Sequence, residues 1–88
     1  MANAAAIIAG QVGAAMVLAA RQAGGAATPS ALRALFPANP FIVGSVLRKA
    51  MGEREWAAWQ SGGEGRPIGV AALAKASGEY VRRLFAAG

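Results

Sequence analysis

The chain has 88 residues and contains no cysteine and no histidine. Disulfide bonds are therefore excluded, as are the common zinc sites built from these two residue types. Catalytic pairs in which histidine activates serine or cysteine are excluded too. The only carboxylate side chains are four glutamates, and Glu53 and Glu55 point apart if they lie on one helix. We therefore predict no catalytic residue, no metal, no cofactor and no enzymatic activity.

Large apolar side chains are also scarce. The sequence has 24 alanines and 12 glycines but only 25 larger apolar residues. A chain of this length buries only about 60% of its unfolded surface. Each buried alanine removes little apolar area, at about 25 cal/mol per Å². We therefore expect a single domain, residues 1–88, whose core is completed by neighbouring copies of the chain.

Capping patterns predict an all-α fold. Asn3 can begin a helix that the Gly24-Gly25 pair ends. Thr28-Pro29 and Asn39-Pro40 each have the form of a helix start, with a capping side chain before a proline. The fold expected is an Ala/Gly-rich helical hairpin or a small helical bundle. The predicted helices are residues 3–23, 29–36, 40–60 and 67–87.

A short β-hairpin around residues 56–70 is an alternative for the middle of the chain. The segment 61–65 is the clearest loop, because it contains three glycines. In this alternative, residues 56–60 and 66–70 form two short strands on either side of the loop. Such a hairpin could reach a neighbouring subunit.

The first predicted helix carries no charge before Arg21. A stripe of small residues on one side of it would let another backbone approach closely. A helix buried in an assembly is the favoured interpretation, and a membrane span is an alternative because of the length. A targeting segment is disfavoured because no basic residue precedes the apolar run. The residues predicted to pack subunits together are Ala6, Gly10, Gly13, Trp56 and Trp59.

Basic residues give the best indication of a binding partner. The net charge is +5, and residues 1–50 contain four basic residues and no acidic one. Seven of the nine basic residues are arginine, which pairs bidentately with phosphate. We predict contact with a nucleic-acid phosphate backbone, the alternatives being a solvated basic face or anionic lipid headgroups. The predicted contact residues are Arg48, Lys49, Arg54, Lys75, Arg82 and Arg83.

Two features together suggest a family. One is the uncharged helix with Ala6, Gly10 and Gly13, and the other is the basic, aromatic segment 80–85. In this layout the chain resembles the small α-helical coat proteins of filamentous and rod-shaped DNA viruses. It looks most like the hairpin-type major virion proteins of bacilliform archaeal viruses. The resemblance implies a structural subunit of the virion, present in many copies, that polymerises into a helical shell and contacts packaged nucleic acid without reading its sequence.

Two other functions fit parts of the sequence. Residues 71–88 resemble a helix-turn-helix unit of a DNA-binding regulator, with Gly78 in the turn. A pilin-like or small membrane protein is the second alternative, since residues 2–20 are apolar. If the chain is not a coat protein, we expect it in the cytoplasm.

Overall fold

The computed structural model describes residues 3–87 and shows an all-α fold, as predicted. About 75% of these residues are helical, and the remaining regular structure is one two-stranded sheet. The two longest helices, one at each end of the chain, lie antiparallel: the start of the first contacts the end of the last. In chain order the elements are α1 (Ala4–Gln22), β1 (Ala26–Ala27), α2 (Pro29–Leu35), α3 (Pro40–Met51), α4 (Glu53–Gln60), β2 (Ile68–Gly69) and α5 (Val70–Ala87).

The starts of α1 and α2 follow the capping patterns of the sequence, whereas the Asn39 side chain makes no capping hydrogen bond at the start of α3. The Asn3 side chain accepts a hydrogen bond of 3.1 Å from the Ala6 N–H at the start of α1. Gly24 and Gly25 have φ of 98° and 110°, which L side chains rarely adopt, and α1 ends just before them. Thr28 accepts a hydrogen bond of 3.2 Å from the backbone N–H of the third residue of α2. The first two helices therefore lie within one residue of their predicted bounds.

The predicted helix 40–60 is interrupted at Gly52. This glycine has φ 83° and ψ 163°, a backbone conformation that is essentially restricted to glycine. Its N–H still donates to the Arg48 carbonyl at the end of α3, and its carbonyl accepts from Trp56 in α4. Side chains after the break point in other directions than they would on one continuous helix, and Arg54 is exposed.

The predicted hairpin around 56–70 is wrong. Residues 56–60 belong to α4, and β2 pairs with β1 instead. The register places Ala26 opposite Gly69 and Ala27 opposite Ile68, and the Val70 N–H donates to the Gly25 carbonyl at 3.1 Å. Two strands far apart in sequence thus hold the start of α5 beside the end of α1, a pairing that local turn signals could not indicate.

The core lies between α1, α3 and α5, with α2 and α4 covering one end. Met16, Leu32, Leu47 and Leu73 have no accessible surface within the single chain. The total accessible surface is 5,295 Å², against about 4,800 Å² for a typical monomer of this mass. The chain therefore closes its own core, contrary to the expectation that neighbouring copies complete it, and it has a modest excess of exposed surface.

The predicted subunit-packing stripe of α1 is covered by α5 of the same chain. Ala6 is 1% exposed, and Gly13 is buried against Ser77. A Cβ atom added at Gly10 would lie 4.0 Å from Val81. The close approach that small residues permit is therefore made within the chain, where Ala6 and Gly13 are buried and Gly10 is partly covered.

Candidate nucleic-acid interface

Helices α2 and α3 are consecutive and are joined by a four-residue turn, residues 36–39. Leu32 of α2 and Val43, Val46 and Leu47 of α3 are buried, so both helices use one side to pack on the core. Two short helices joined by a turn of this length have the connectivity of a helix-turn-helix motif. In such motifs the second helix is the one presented to DNA.

The side of α3 that faces away from the core carries Phe41, Ser45 and Arg48. Their spacing of four and three residues places them along one line of the helix. Phe41 is 78% exposed, which is unusual for a side chain of this size and type. Gly44 lies beside this line, and a Cβ atom added there would lie 3.6 Å from the Trp56 ring. We call Phe41, Ser45 and Arg48 the α3 ridge.

A groove lies on either side of the α3 ridge. The groove towards α5 has a volume of about 510 Å³, and the groove towards α2 and α4 has about 290 Å³. Ser45 and Arg48 line both grooves, so the ridge separates them. The first groove is lined by Ser45, Arg48, Lys49, Gly52, Glu53, Tyr80 and Arg83. The second is lined by Arg33, Pro40, Phe41, Gly44, Ser45, Arg48, Trp56 and Gln60.

The two grooves are electropositive. Four basic side chains line them (Arg33, Arg48, Lys49 and Arg83), and the one acidic side chain in either lining is Glu53. Positive charge concentrated in a cleft raises the local concentration of anions. A polyanion is therefore the ligand that the charge of this surface favours.

The ion pairs at the grooves are weak enough to be exchanged for a phosphate. Arg48 and Glu53 lie 2.9 Å apart, but their side chains are 55% and 73% exposed. Pairs of this exposure contribute about 0–1 kcal/mol. Lys49 lies 3.6 Å from Glu79 of α5. Both pairs join different elements, α3 with α4 and α3 with α5.

Trp59 holds Arg33 in place beside the second groove. The Arg33 guanidinium lies 4.1 Å from the centre of the Trp59 ring. Trp59 itself is buried, and its indole N–H donates to the Ser30 hydroxyl at 3.0 Å. Trp56 packs edge-on against it, with ring centres 5.5 Å apart. Trp56 and Trp59, predicted to pack subunits together, thus pack between helices of their own chain.

The predicted phosphate-contacting residues do not all lie together. Arg48, Lys49 and Arg83 line the first groove. Lys75 lies in an adjoining cleft of about 260 Å³ with Lys49 and Glu79. The other two predicted residues, Arg82 on α5 and Arg54 on α4, are exposed and line neither groove.

Sequence reasoning missed Arg33, Ser45 and Tyr80, which also line the two grooves. The signal that could have found Arg33 and Ser45 is the pair of helix starts, Thr28-Pro29 and Asn39-Pro40. Their spacing allows only a short helix and a tight turn before a second helix, which is the helix-turn-helix connectivity. Tyr80 had no such signal, because only the packing of α5 on α3 places it at the groove.

The helix-turn-helix predicted at residues 71–88 is not formed. Residues 70–87 make one continuous helix, and Gly78 has no positive φ. Without a change of backbone direction at Gly78 there is no turn to separate two helices. Two helices joined by a short turn occur earlier in the chain, at α2 and α3.

Within residues 3–87 no group of three acidic side chains is placed to hold a metal ion. By length and composition α1 could cross a membrane, and 33% of its most apolar window is buried inside the fold. Comparison with models of known protein families, with curated proteins and with solved structures finds no match to this chain.

Proposed function

We propose that this chain is a small DNA-binding protein that places α3 against the duplex and holds the phosphate backbone from both sides of that helix. The observation that carries the proposal is the position of the α3 ridge. It follows a helix-turn-helix connection and lies between two grooves lined by Arg33, Arg48, Lys49 and Arg83. The excess of arginine in the sequence, which favours a phosphate partner, supports the same proposal.

The dimensions of α3 suit the major groove. A helix with its side chains is about 10–12 Å across, and the major groove is about 12 Å wide. Gly44 and Ser45 keep the exposed side of α3 narrow, and Phe41 offers an apolar surface of the kind that contacts thymine methyl groups. Arginine and lysine on the flanking grooves would then lie beside the two phosphate backbones.

Counterion release should supply most of the affinity. Each neutralised phosphate contributes a slope of about −0.9 to the plot of log K against log salt concentration. Four basic side chains therefore predict a slope of about −3 to −4. Ser45 and Phe41 add contacts to base edges, so any preference for sequence should be small beside the electrostatic contribution.

Fluorescence anisotropy with a labelled duplex of about 20 base pairs, between 50 and 200 mM salt, tests the proposal. We expect Arg48→Ala and Arg83→Ala each to weaken binding and to reduce the salt slope by about 1. Arg54→Ala is the matched control, because Arg54 is exposed and lines neither groove. Equal losses for Arg54→Ala and for both groove variants would show that binding follows net charge alone and would reject the site.

A coat subunit of a helical virion is the second candidate function, and one observation favours it. Among residues 3–87, large apolar side chains are exposed on several helices: Ile7, Ile8 and Leu18 on α1, Leu35 on α2, Phe41 on α3 and Phe85 on α5. A helical polymer needs two different complementary surfaces on each subunit. Electron microscopy of the purified chain with and without DNA separates the two functions, because only a coat subunit should form filaments of constant diameter.

A further inference from the structure

The side of α1 that faces away from the core is apolar up to Leu18, apart from Gln11. Ile7 and Ile8 are 47% and 44% exposed, and Leu18 is 54% exposed. No charged residue occurs in α1 before Arg21. Exposed positions recur at alternating intervals of three and four residues, which is the spacing of a coiled-coil seam. We call this surface the outer α1 face; its seam positions are Ala4, Ile7, Gln11, Ala14 and Leu18.

We propose that the outer α1 face binds a second copy of this chain, α1 against α1, in a closed two-fold dimer. This surface differs from the stripe of Ala6, Gly10 and Gly13, which α5 of the same chain covers. The proposal is independent of DNA binding, since the outer α1 face lies on the other side of α1 from the core and from α3.

Charge favours a second copy at this surface. The chain carries a net charge of +5, so two copies repel each other wherever basic side chains meet. The outer α1 face has no charge over most of its length, and Arg21 lies at one end of it. It is therefore a surface on which two positively charged copies can meet without placing like charges in contact.

The available area is sufficient for a stable dimer. With 19 residues, α1 is about 28 Å long, and it lies beside the antiparallel α5. Two neighbouring helices present a layer about 20 Å wide, hence about 560 Å² per copy and about 1,100 Å² in total. Specific interfaces begin at about 1,000–1,200 Å², so the interface must include α5 as well as the outer α1 face. From α5 it would take the apolar Phe85, which is 55% exposed, and the exposed Arg82 near the same end of the helix.

Gln11 favours a protein partner over lipid. It is exposed and lies near the middle of the seam. Against hydrocarbon its amide would have no hydrogen-bond partner, which costs several kcal/mol. Near a two-fold axis at Ala14, each Gln11 amide faces the other copy, where a protein partner can offer it hydrogen bonds. A single polar residue at a seam position is a known means of fixing register in helix pairs.

Sedimentation of the full chain at about 100 μM, where a micromolar dimer is fully formed, is the first test. We expect twice the 8.8 kDa of one chain. Leu18→Glu should give a monomer, because it places two carboxylates in the interface. Leu35→Glu is the matched control, since Leu35 is 59% exposed on α2, away from the outer α1 face, and it should remain a dimer. A monomeric parent chain, or a dimer that survives Leu18→Glu, would overturn the proposal.

Cross-linking provides a second test that does not depend on a charged substitution. The chain has no cysteine, so one introduced thiol can pair only with its copy in the other subunit. Ala14 is exposed near the midpoint of α1, where a two-fold axis would pass, and Ala14→Cys should form a disulfide-linked dimer under mild oxidation. Ala57→Cys, on the exposed side of α4, should remain monomeric on a non-reducing gel. Equal cross-linking of the two variants would reject the interface.

Vesicle flotation distinguishes a second copy from a membrane. The full chain is mixed with phosphatidylcholine vesicles, which have no net charge, and floated through a density gradient. We expect the protein to stay at the bottom of the gradient with the dimeric mass unchanged. Flotation of the parent chain that Leu18→Glu abolishes would show that lipid, and not a second copy, covers the outer α1 face.

Discussion

Adding one methyl group at Gly13 tests the close packing of α1 on α5. A Cβ atom at this position would lie 2.9 Å from the Ser77 Cβ and closer still to its hydroxyl. The hydroxyl can rotate away, but the Ser77 Cβ moves only with the α5 backbone. Both residues are buried, so neither can turn towards solvent. We therefore expect Gly13→Ala to force the two longest helices apart.

The expected effect combines two opposing contributions. Replacing glycine by alanine inside a helix stabilises it by about 1 kcal/mol. Overpacking a well-filled interior costs about 1–3 kcal/mol. Gly13→Ala should therefore lower the free energy of unfolding by about 1 kcal/mol. For a domain of this size, that corresponds to a fall in Tm of about 4–8 °C.

Gly10→Ala is the matched control on the same helix. Its added Cβ would lie 4.0 Å from Val81, an ordinary van der Waals distance. Only the helix propensity then changes, and the Tm should rise by about 4–8 °C. Thermal unfolding followed by circular dichroism measures both variants. The reasoning is refuted if Gly13→Ala raises the Tm as much as Gly10→Ala does.

A double-mutant cycle assigns the effect to Ser77. Ser77→Gly removes the side chain that the new methyl group meets, so Gly13→Ala should be tolerated in that background. The coupling free energy between the two substitutions should be about 1–3 kcal/mol. Independent, additive effects would show that Gly13→Ala destabilises the chain through some other contact.

Three further substitutions test other parts of the fold by urea denaturation. Gly52→Ala should lower stability by about 1–3 kcal/mol, because φ 83° with ψ 163° suits only glycine; an unchanged midpoint would mean that α3 and α4 are one helix. Gly78→Ala should raise stability by about 1 kcal/mol, since nothing lies within 4 Å of its added Cβ; a loss would place a hidden contact there. Ser30→Ala should lower the free energy of unfolding by about 1–3 kcal/mol, because it leaves the Trp59 N–H without its acceptor. Ser61→Ala, at an exposed serine, is the control and should change that free energy by less than about 0.5 kcal/mol.

Helix starts were predictable because they depend on a few neighbouring residues. Asn3 and Thr28 cap their helices with the side-chain hydrogen bonds that the sequence suggests, and Gly24-Gly25 ends α1. The charge pattern around Gly52 indicates the break between α3 and α4. Arg48 and Lys49 lie in the last turn before it, and two glutamates follow in the next first turn, as the helix dipole favours.

Pairings between distant segments could not be predicted from one sequence. Ala26-Ala27 and Ile68-Gly69 are too short and too small to be recognised as strands, and only the docking of α5 on α1 brings them together. The same holds for the candidate site. Arg48 and Lys49 were found because basic residues close together in sequence share a helix end, but Arg83 and Tyr80 join them only through the packing of α5 on α3.

The partner that covers the small-residue stripe was the main error of inference. Ala6, Gly10 and Gly13 indicate that another backbone approaches α1, and one does. Spacing along a helix carries no information on whether that backbone belongs to the same chain. Composition likewise does not indicate that tight contacts at glycine let a small set of buried larger residues, such as Met16, Leu47 and Leu73, form a core within one chain.

The pairing of α1 with α5 determines how long α1 stays uncovered while the chain is being synthesised. The two helices make the most extensive contact among the described elements, yet nearly fifty residues separate the end of one from the start of the other. At about 5–20 residues per second, α1 waits several seconds during synthesis before α5 emerges. Throughout that interval the inner and outer sides of α1 are both exposed to solvent. Nascent chains on one polysome are therefore most prone to aggregate before they can fold.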